Sequence, residues 1–224
     1  MSFKKFARYA SEEENLIKTI FISLLVSFAF LAVLYFLKLR YVESFIPKYG
    51  FFLFFAILSY SLILPSVKHV RIYKEFACMS GMMIGMTIGM ISGFLAGFYV
   101  ASTNGMFIGS VFGMSLGIFF GVWNGKCCGI MGTLEGIMAG FMGGLMGAMT
   151  SIMMFNDNLK YMSAIVFLVS GITLFGLNYM IYKETREIEE KNKEGDFFTM
   201  FWSLLLTALT VFIMVFGPRS ILFQ

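Results

Sequence analysis

Long apolar runs separated by short polar segments constrain this chain more than any other feature of its sequence. A run of about twenty apolar residues is long enough for one helix to cross the hydrocarbon core of a bilayer. Runs this long predict helices, because a helix satisfies its own backbone hydrogen bonds where lipid offers none. About seven runs predict an all-α integral membrane protein, with spans at 17–37, 51–67, 77–100, 105–123, 129–154, 162–181 and 197–216.

The composition agrees with a membrane protein and disfavours other classes. The chain is 58% hydrophobic and 13% charged, whereas soluble domains carry about a quarter charged residues. A net charge of +4 gives no indication of a nucleic-acid partner. The three cysteines have no CxxC spacing, so they do not form a disulfide framework. No HExxH, P-loop or GxSxG motif is present, so we do not expect an enzyme.

The distribution of charge predicts four segments and an orientation. Residues 1–16 are polar, lack the apolar stretch of a signal peptide and form a cytoplasmic segment; 17–76 contain two spans, 77–154 three, and 155–224 two. With the N-terminus inside, twelve Lys and Arg residues lie in inner segments and five in outer ones, which favours an N-in, C-out topology. The charged loop 183–196 is then cytoplasmic. A six-span form, with the last apolar run on the membrane surface, remains the alternative.

Glycine recurs at every fourth position in the middle of the chain. Residues 78–154 contain 18 of the 23 glycines and 14 of the 19 methionines. Glycines four apart leave a groove along one side of a helix, and a second helix can pack closely into it. The repeats predict a glycine-zipper core built by the third to fifth spans, and they also favour a homo-oligomer. The packing residues are Gly81, Gly85, Gly89, Gly93 and Gly97, then Gly105, Gly109, Gly113, Gly117 and Gly121, then Gly132, Gly136, Gly140 and Gly144.

The fifth predicted span combines methionine with one acid. On a helical wheel, one arc of about 80° holds Glu135 and six methionines, and the glycines lie opposite. We expect the glycine contacts to turn this face toward an interior shared by the three helices. The methionines of this arc are Met131, Met138, Met142, Met146, Met149 and Met153.

Two interpretations of the methionines stay open. In the first they only pack, because Met is flexible and fills irregular gaps, and the protein is a structural or channel-forming assembly. In the second they handle a soft cation, with Cu(I) as the best candidate, because thioether sulfur selects that ion. The relay would be Met138, Met142, Met146, Met149 and Met153, with Glu135 as inner counter-charge and Cys127 and Cys128 as inner acceptor.

Glu135 is the strongest single functional candidate. An ionisable side chain within a span is costly and indicates function by default. The alternative is that Glu135, about two turns from the inner helix end, reaches water or Lys126. His69, the only histidine, is a weak candidate. Asn178 is expected to hydrogen-bond to a neighbouring helix, and Trp123 and Trp202 suit the membrane interface.

The segments GMMIGMTIGMISGF (81–94) and LEGIMAGFMGGLMGAM (134–149) resemble the Gly/Met-rich membrane region of bacterial proteins that carry or accompany a cupredoxin-type copper domain. The resemblance covers about a third of the chain. It implies a bacterial cytoplasmic membrane and a connection with copper. Since this chain has no cupredoxin domain, a copper role would rest on the methionine face or on a separate copper-binding partner.

Overall fold

The computed structural model describes residues 18, 20–33, 36, 49–72, 78–184 and 196–218. Within these residues the chain is helical and has no strand. Among the described residues, five helices are long and apolar enough to cross a membrane, whereas the described part of the first helix and the apolar part of the last are shorter. The chain is therefore a multi-pass helical membrane protein. The helices are α1 Ile20–Val33, α2 Phe51–Ile72, α3 Cys78–Asn104, α4 Met106–Gly125, α5 Gly129–Met153, α6 Leu159–Glu184 and α7 Asp196–Phe216.

Helices α3 and α4 pack backbone against backbone along their glycines. A Cβ atom added to Gly89 would lie 2.9 Å from the Gly121 Cα atom, which is closer than side chains approach a backbone. The contacts move along the two helices in opposite directions, as in an antiparallel pair. The paired glycines are Gly85 with Gly125, Gly89 with Gly121, and Gly97 with Gly113.

Helix α5 completes a three-helix cluster with α3 and α4. It runs antiparallel to α4, with Gly136 against Gly121 and Gly140 against Gly117. It runs parallel to α3, because a Cβ on Gly89 would contact the Gly136 carbonyl and one on Gly97 would contact the Gly144 carbonyl. Backbones this close gain dispersion contacts that lipid cannot supply, which favours association of the helices.

Two tight connections hold the cluster in register. Gly105, between α3 and α4, has a φ of 106°, a conformation that residues with a side chain rarely adopt. A 3₁₀ turn, Lys126–Cys128, joins α4 to α5 and ends at Gly129, whose φ is 68°. The buried Asn104 donates a 2.7 Å hydrogen bond from its Nδ2 atom to the Ile213 carbonyl. This bond holds the C-terminal end of α7 beside the connection between α3 and α4.

The remaining helices pack through larger side chains. Ile57 and Leu64 of α2, Tyr99 of α3 and Leu206 of α7 belong to one buried cluster. The expected interhelical bond of Asn178 is confirmed, because its Nδ2 atom donates to the Ser66 hydroxyl oxygen at 3.1 Å. Helix α6 thus binds α2 and leaves most of its own surface outside the bundle.

The two tryptophans lie side by side. Trp123 near the end of α4 and Trp202 near the start of α7 have ring centroids 5.0 Å apart, and Phe119 packs against both. These helix ends therefore lie at one depth. The N-terminal segment 1–16 and residues 185–195 of the charged loop lie outside the described residues, so the N-in, C-out topology stays a prediction, as does the number of spans.

Candidate ion-binding surface

The two faces of α5 have opposite environments. Its buried residues are all small, and most are glycines that contact α3 or α4. The six methionines of the predicted arc expose between 45% and 68% of their surface. Our expectation that these sulfur atoms face an interior shared by the three helices is therefore wrong for a single chain. The physical reason is that the glycine strip contacts both neighbours, so the opposite strip must point outward.

Helix α3 carries a second exposed methionine strip. Met79, Met83, Met86 and Met90 are between 38% and 79% exposed. A Cβ on Gly143 of α5 would contact the backbone of Met90, so these two residues lie at one depth. Because α3 and α5 run parallel with the same rise per residue, the residues eight positions earlier on each helix also match. The Gly89–Gly136 contact pairs the two helices with a smaller offset, so Glu135 lies level with a position between Met82 and Ile88 of α3.

The two methionine strips lie on the same side of the α3–α5 contact. On α5, Gly140 faces α4 and Gly143 faces α3. Continuing the rotation from Gly140 to Gly143 around the helix axis by about another 80° leads to the position of Glu135. On α3, Gly89 touches both α4 and α5. Met90, the next residue, is rotated by about 100° around the helix axis from Gly89, toward the side that faces away from α4. Both strips thus point away from α4. Together they form what we term the Met surface: Met79, Met83, Met86, Met90, Met131, Glu135, Met138, Met142, Met146, Met149 and Met153.

Glu135 is the only charged residue of the Met surface. It is half-buried and lies about 9 Å along α5 from Gly129. No hydrogen bond or ion pair reaches its carboxylate within the described residues. Lys126, the other charged residue between 78 and 154, is exposed on the 3₁₀ turn, and the pairing considered for it from sequence is not formed. Within the described residues, the carboxylate therefore has no compensating partner on this methionine-rich face.

The predicted cysteine acceptor is described only in part. Cys128 is half-buried in the 3₁₀ turn that leads into α5. The side chains of Cys127, Cys78 and His69 lie outside the described residues. No three His, Cys, Asp or Glu side chains come together in the part of the chain that the structure describes. A cation on the Met surface would therefore rely on thioether sulfur and on Glu135.

A groove between α4 and α7 is a separate feature of the surface. Its volume is about 450 Å³, and its wall includes Phe107, Val111, Phe212 and Phe216. Ser115 is its only lining residue with a polar side chain. The lining of this groove thus offers no group that would bind an ion, and among the described residues the Met surface is the candidate with suitable donors.

Sequence reasoning found the α5 arc, but it did not predict that exposed methionines of α3 lie on the same side. Two features of the sequence could have predicted this. Helices α3 and α5 are separated by one span and must therefore run parallel, and their glycines have the same spacing. No known protein family, curated protein or solved structure is significantly similar to this chain. The resemblance to cupredoxin-associated membrane proteins and its implied copper connection therefore stay predictions.

Proposed function

We propose that the protein is a multi-pass membrane protein that binds and conducts a soft monovalent cation, Cu(I) being the leading candidate, along the Met surface. The observation that carries this proposal is the outward position of the methionines together with Glu135. Packing within one chain does not require methionine on this face. Helix α5 contacts α3 and α4 through the glycines on its opposite face.

Lipid contact alone does not require methionine either. The exposed middle of α6 is built from aliphatic and aromatic side chains such as Leu168, Ile172 and Phe175. The same chain thus uses ordinary apolar residues where a helix only has to face lipid. Thioether sulfur differs from these side chains by being a soft, weak ligand, and repeated weak sites suit an ion that must leave as well as enter.

The second candidate function is a structural or channel-forming assembly in which the methionines only pack. It is favoured by the openness of the Met surface, because a pathway on one chain would be open along its whole length. In this case neighbouring copies would cover the methionines of the Met surface and use them as flexible contacts.

Copper uptake by vesicles separates the two candidates. The test variant replaces Met138, Met142 and Met146 with Leu, and the control makes the same change at Met106, Met162 and Met180, outside the Met surface. Both changes nearly conserve volume, so each variant should fold and lose less than about 1.5 kcal/mol per site. We expect Cu(I) uptake under reducing conditions to be lost in the first variant and kept in the second. Equal uptake by both variants and the parent would refute the proposal.

A further inference from the structure

We propose that the interior of the helix bundle binds one water molecule between α2, α3 and α7, held by the hydroxyl groups of Tyr60, Thr210 and the Ser59–Tyr99 pair. The site lies apart from the Met surface and does not depend on the proposed cation. The inference begins from Tyr60, which is 3% exposed and whose hydroxyl group has no hydrogen-bond partner among the described residues.

The Tyr60 hydroxyl group cannot rely on solvent. Tyr60 lies near the middle of the apolar part of α2, Phe51–Lys68, and Ile57 and Leu64 on the same helix face are 1% exposed. Lipid offers a polar group at this depth no partner, and burial of a hydroxyl is unfavourable unless it forms a hydrogen bond. Such groups are usually satisfied by protein atoms or by an ordered water molecule. The Tyr60 hydroxyl group therefore indicates a ligand inside the bundle.

Helix α7 places a hydrogen-bond acceptor beside Tyr60. Thr210 is 1% exposed, and its hydroxyl group lies next to that of Tyr60, although no direct hydrogen bond joins the two. The Thr210 hydroxyl donates its proton within α7, where the Leu206 and Thr207 carbonyl oxygens are each 2.9 Å away. The Thr210 oxygen atom is thus left as an acceptor on the side of α2.

A second pair of hydroxyl groups borders the same region. The Ser59 and Tyr99 hydroxyl oxygens are 3.4 Å apart, and both residues are at most 1% exposed. Ser59 donates its proton to the Phe55 carbonyl oxygen, 2.8 Å away, so its own oxygen atom is an acceptor. Tyr60 follows Ser59 directly in α2 and is close enough to Tyr99 for an electrostatic interaction. The two pairs therefore meet where three helices come together.

These four hydroxyl groups are complementary to one water molecule. Tyr60 and Tyr99 each have a phenolic proton to donate, whereas Ser59 and Thr210 use their protons within their own helices and offer oxygen atoms. A buried water makes about three hydrogen bonds, as donor and as acceptor. A metal cation would use only lone pairs and would leave the phenolic protons without an acceptor. The water accepts from Tyr60 and donates to Thr210, and it thereby links α7 to α2.

Water-edited solid-state NMR of the full chain in lipid vesicles tests this site. The protein carries ¹³C-labelled tyrosine and phenylalanine, and magnetisation is transferred from water protons to the rings. The Tyr60 signal is assigned as the one that is lost in Tyr60→Phe. We expect Tyr60 to receive magnetisation from water despite its burial, whereas Phe98, which is also buried at 0% exposed, receives none.

A matched pair of threonine substitutions tests the acceptor. Thr210→Val and Thr173→Val each replace a hydroxyl by a methyl group, and each hydroxyl donates to a carbonyl oxygen of its own helix. Thr173 is exposed on α6. We expect Thr210→Val to abolish transfer from water to Tyr60 and Thr173→Val to leave it unchanged. Circular dichroism checks that both variants keep the helix content of the parent protein.

Three outcomes would overturn the inference. Absence of transfer to Tyr60 in the parent protein would show that no water lies beside it. Equal transfer in Thr210→Val and the parent would remove Thr210 from the site. Transfer that disappears when choline replaces sodium and potassium in the buffer would show that a hydrated cation occupies the position instead. None of these outcomes bears on copper uptake, so this inference and the proposed function can fail separately.

Discussion

Alanine at Gly117 is expected to separate the central helices. A Cβ on this residue of α4 would lie 2.8 Å from both the Cα and the carbonyl oxygen of Gly140, and 2.9 Å from the Gly89 carbonyl oxygen. Ordinary carbon contacts need about 3.5 Å or more, so the shortfall is about 0.7 Å. The atoms that it meets are backbone on two different helices. Rotation of a side chain therefore cannot relieve the clash, and α4 must withdraw from α3 and α5 together.

The cost follows from the dispersion contacts that this withdrawal weakens. Each close pair of heavy atoms contributes about 0.1–0.2 kcal/mol, and a gap of 0.5–1 Å forfeits between about a quarter and a half of that value. If about thirty pairs along the two contacts loosen in this way, the loss is about 1–3 kcal/mol. This agrees with the usual penalty for an extra methyl group in a closely packed interior.

Gly176 of α6 provides the matched control. A Cβ there has no neighbour within 4 Å, so Gly176→Ala adds the same methyl group and gains the same helix propensity without a clash. Unfolding in mixed micelles by sodium dodecyl sulfate, followed by circular dichroism, gives the free energy of both variants. We expect Gly117→Ala to be about 1–3 kcal/mol less stable than Gly176→Ala. Equal stability would show that the close glycine contacts do not hold the three helices together.

Two further predictions concern buried polar groups and use the same unfolding measurement. Asn104→Ala removes the 2.7 Å hydrogen bond to the Ile213 carbonyl and should cost about 0.6–1.7 kcal/mol, with faster amide exchange at the end of α7; unchanged exchange there would contradict the assigned role. The fully buried Ser151 hydroxyl has no hydrogen-bond partner among the described residues, so Ser151→Ala should be neutral or stabilising by up to about 1 kcal/mol. A clear loss of stability in Ser151→Ala would show that its hydroxyl does find a partner.

Apolar runs predicted the existence of the long helices but not all of their ends. The predicted run 129–154 and helix Gly129–Met153 agree closely, because glycine and a 3₁₀ turn end the run on one side. The predicted run 51–67 ends five residues before the end of α2, because the helix continues past Pro65 to Ile72. Hydropathy detects the hydrocarbon-soluble part of a helix. It does not detect how far a helix continues beyond its apolar part, as α2 does to Ile72.

The direction of the Met surface shows a different limit of sequence reasoning. Helical periodicity correctly separated Met138 and Met142 from Gly140 and Gly144 by about half a turn. Periodicity gives only the angle between two faces, however, and not which neighbour each face meets. The prediction that the methionines line a shared interior required α5 to turn its methionine face toward α3 and α4. Backbone contacts at Gly140 and Gly143 use up the inward directions, so the methionines had to lie outside.

The near-repeat of 81–97 and 105–121, with eight identities in seventeen positions, illustrates why glycine and methionine patterns carry different information. Glycine at every fourth position reads the same from either end, so α3 and α4 can align these strips although they run in opposite directions. Methionine positions are not symmetric in this way, and α4 has only Met106 and Met114 within this repeat. Close packing therefore tolerates reversal of a helix. A surface that combines two methionine strips at matched depths requires parallel helices, and α3 and α5 satisfy that requirement because α4 separates them in the chain.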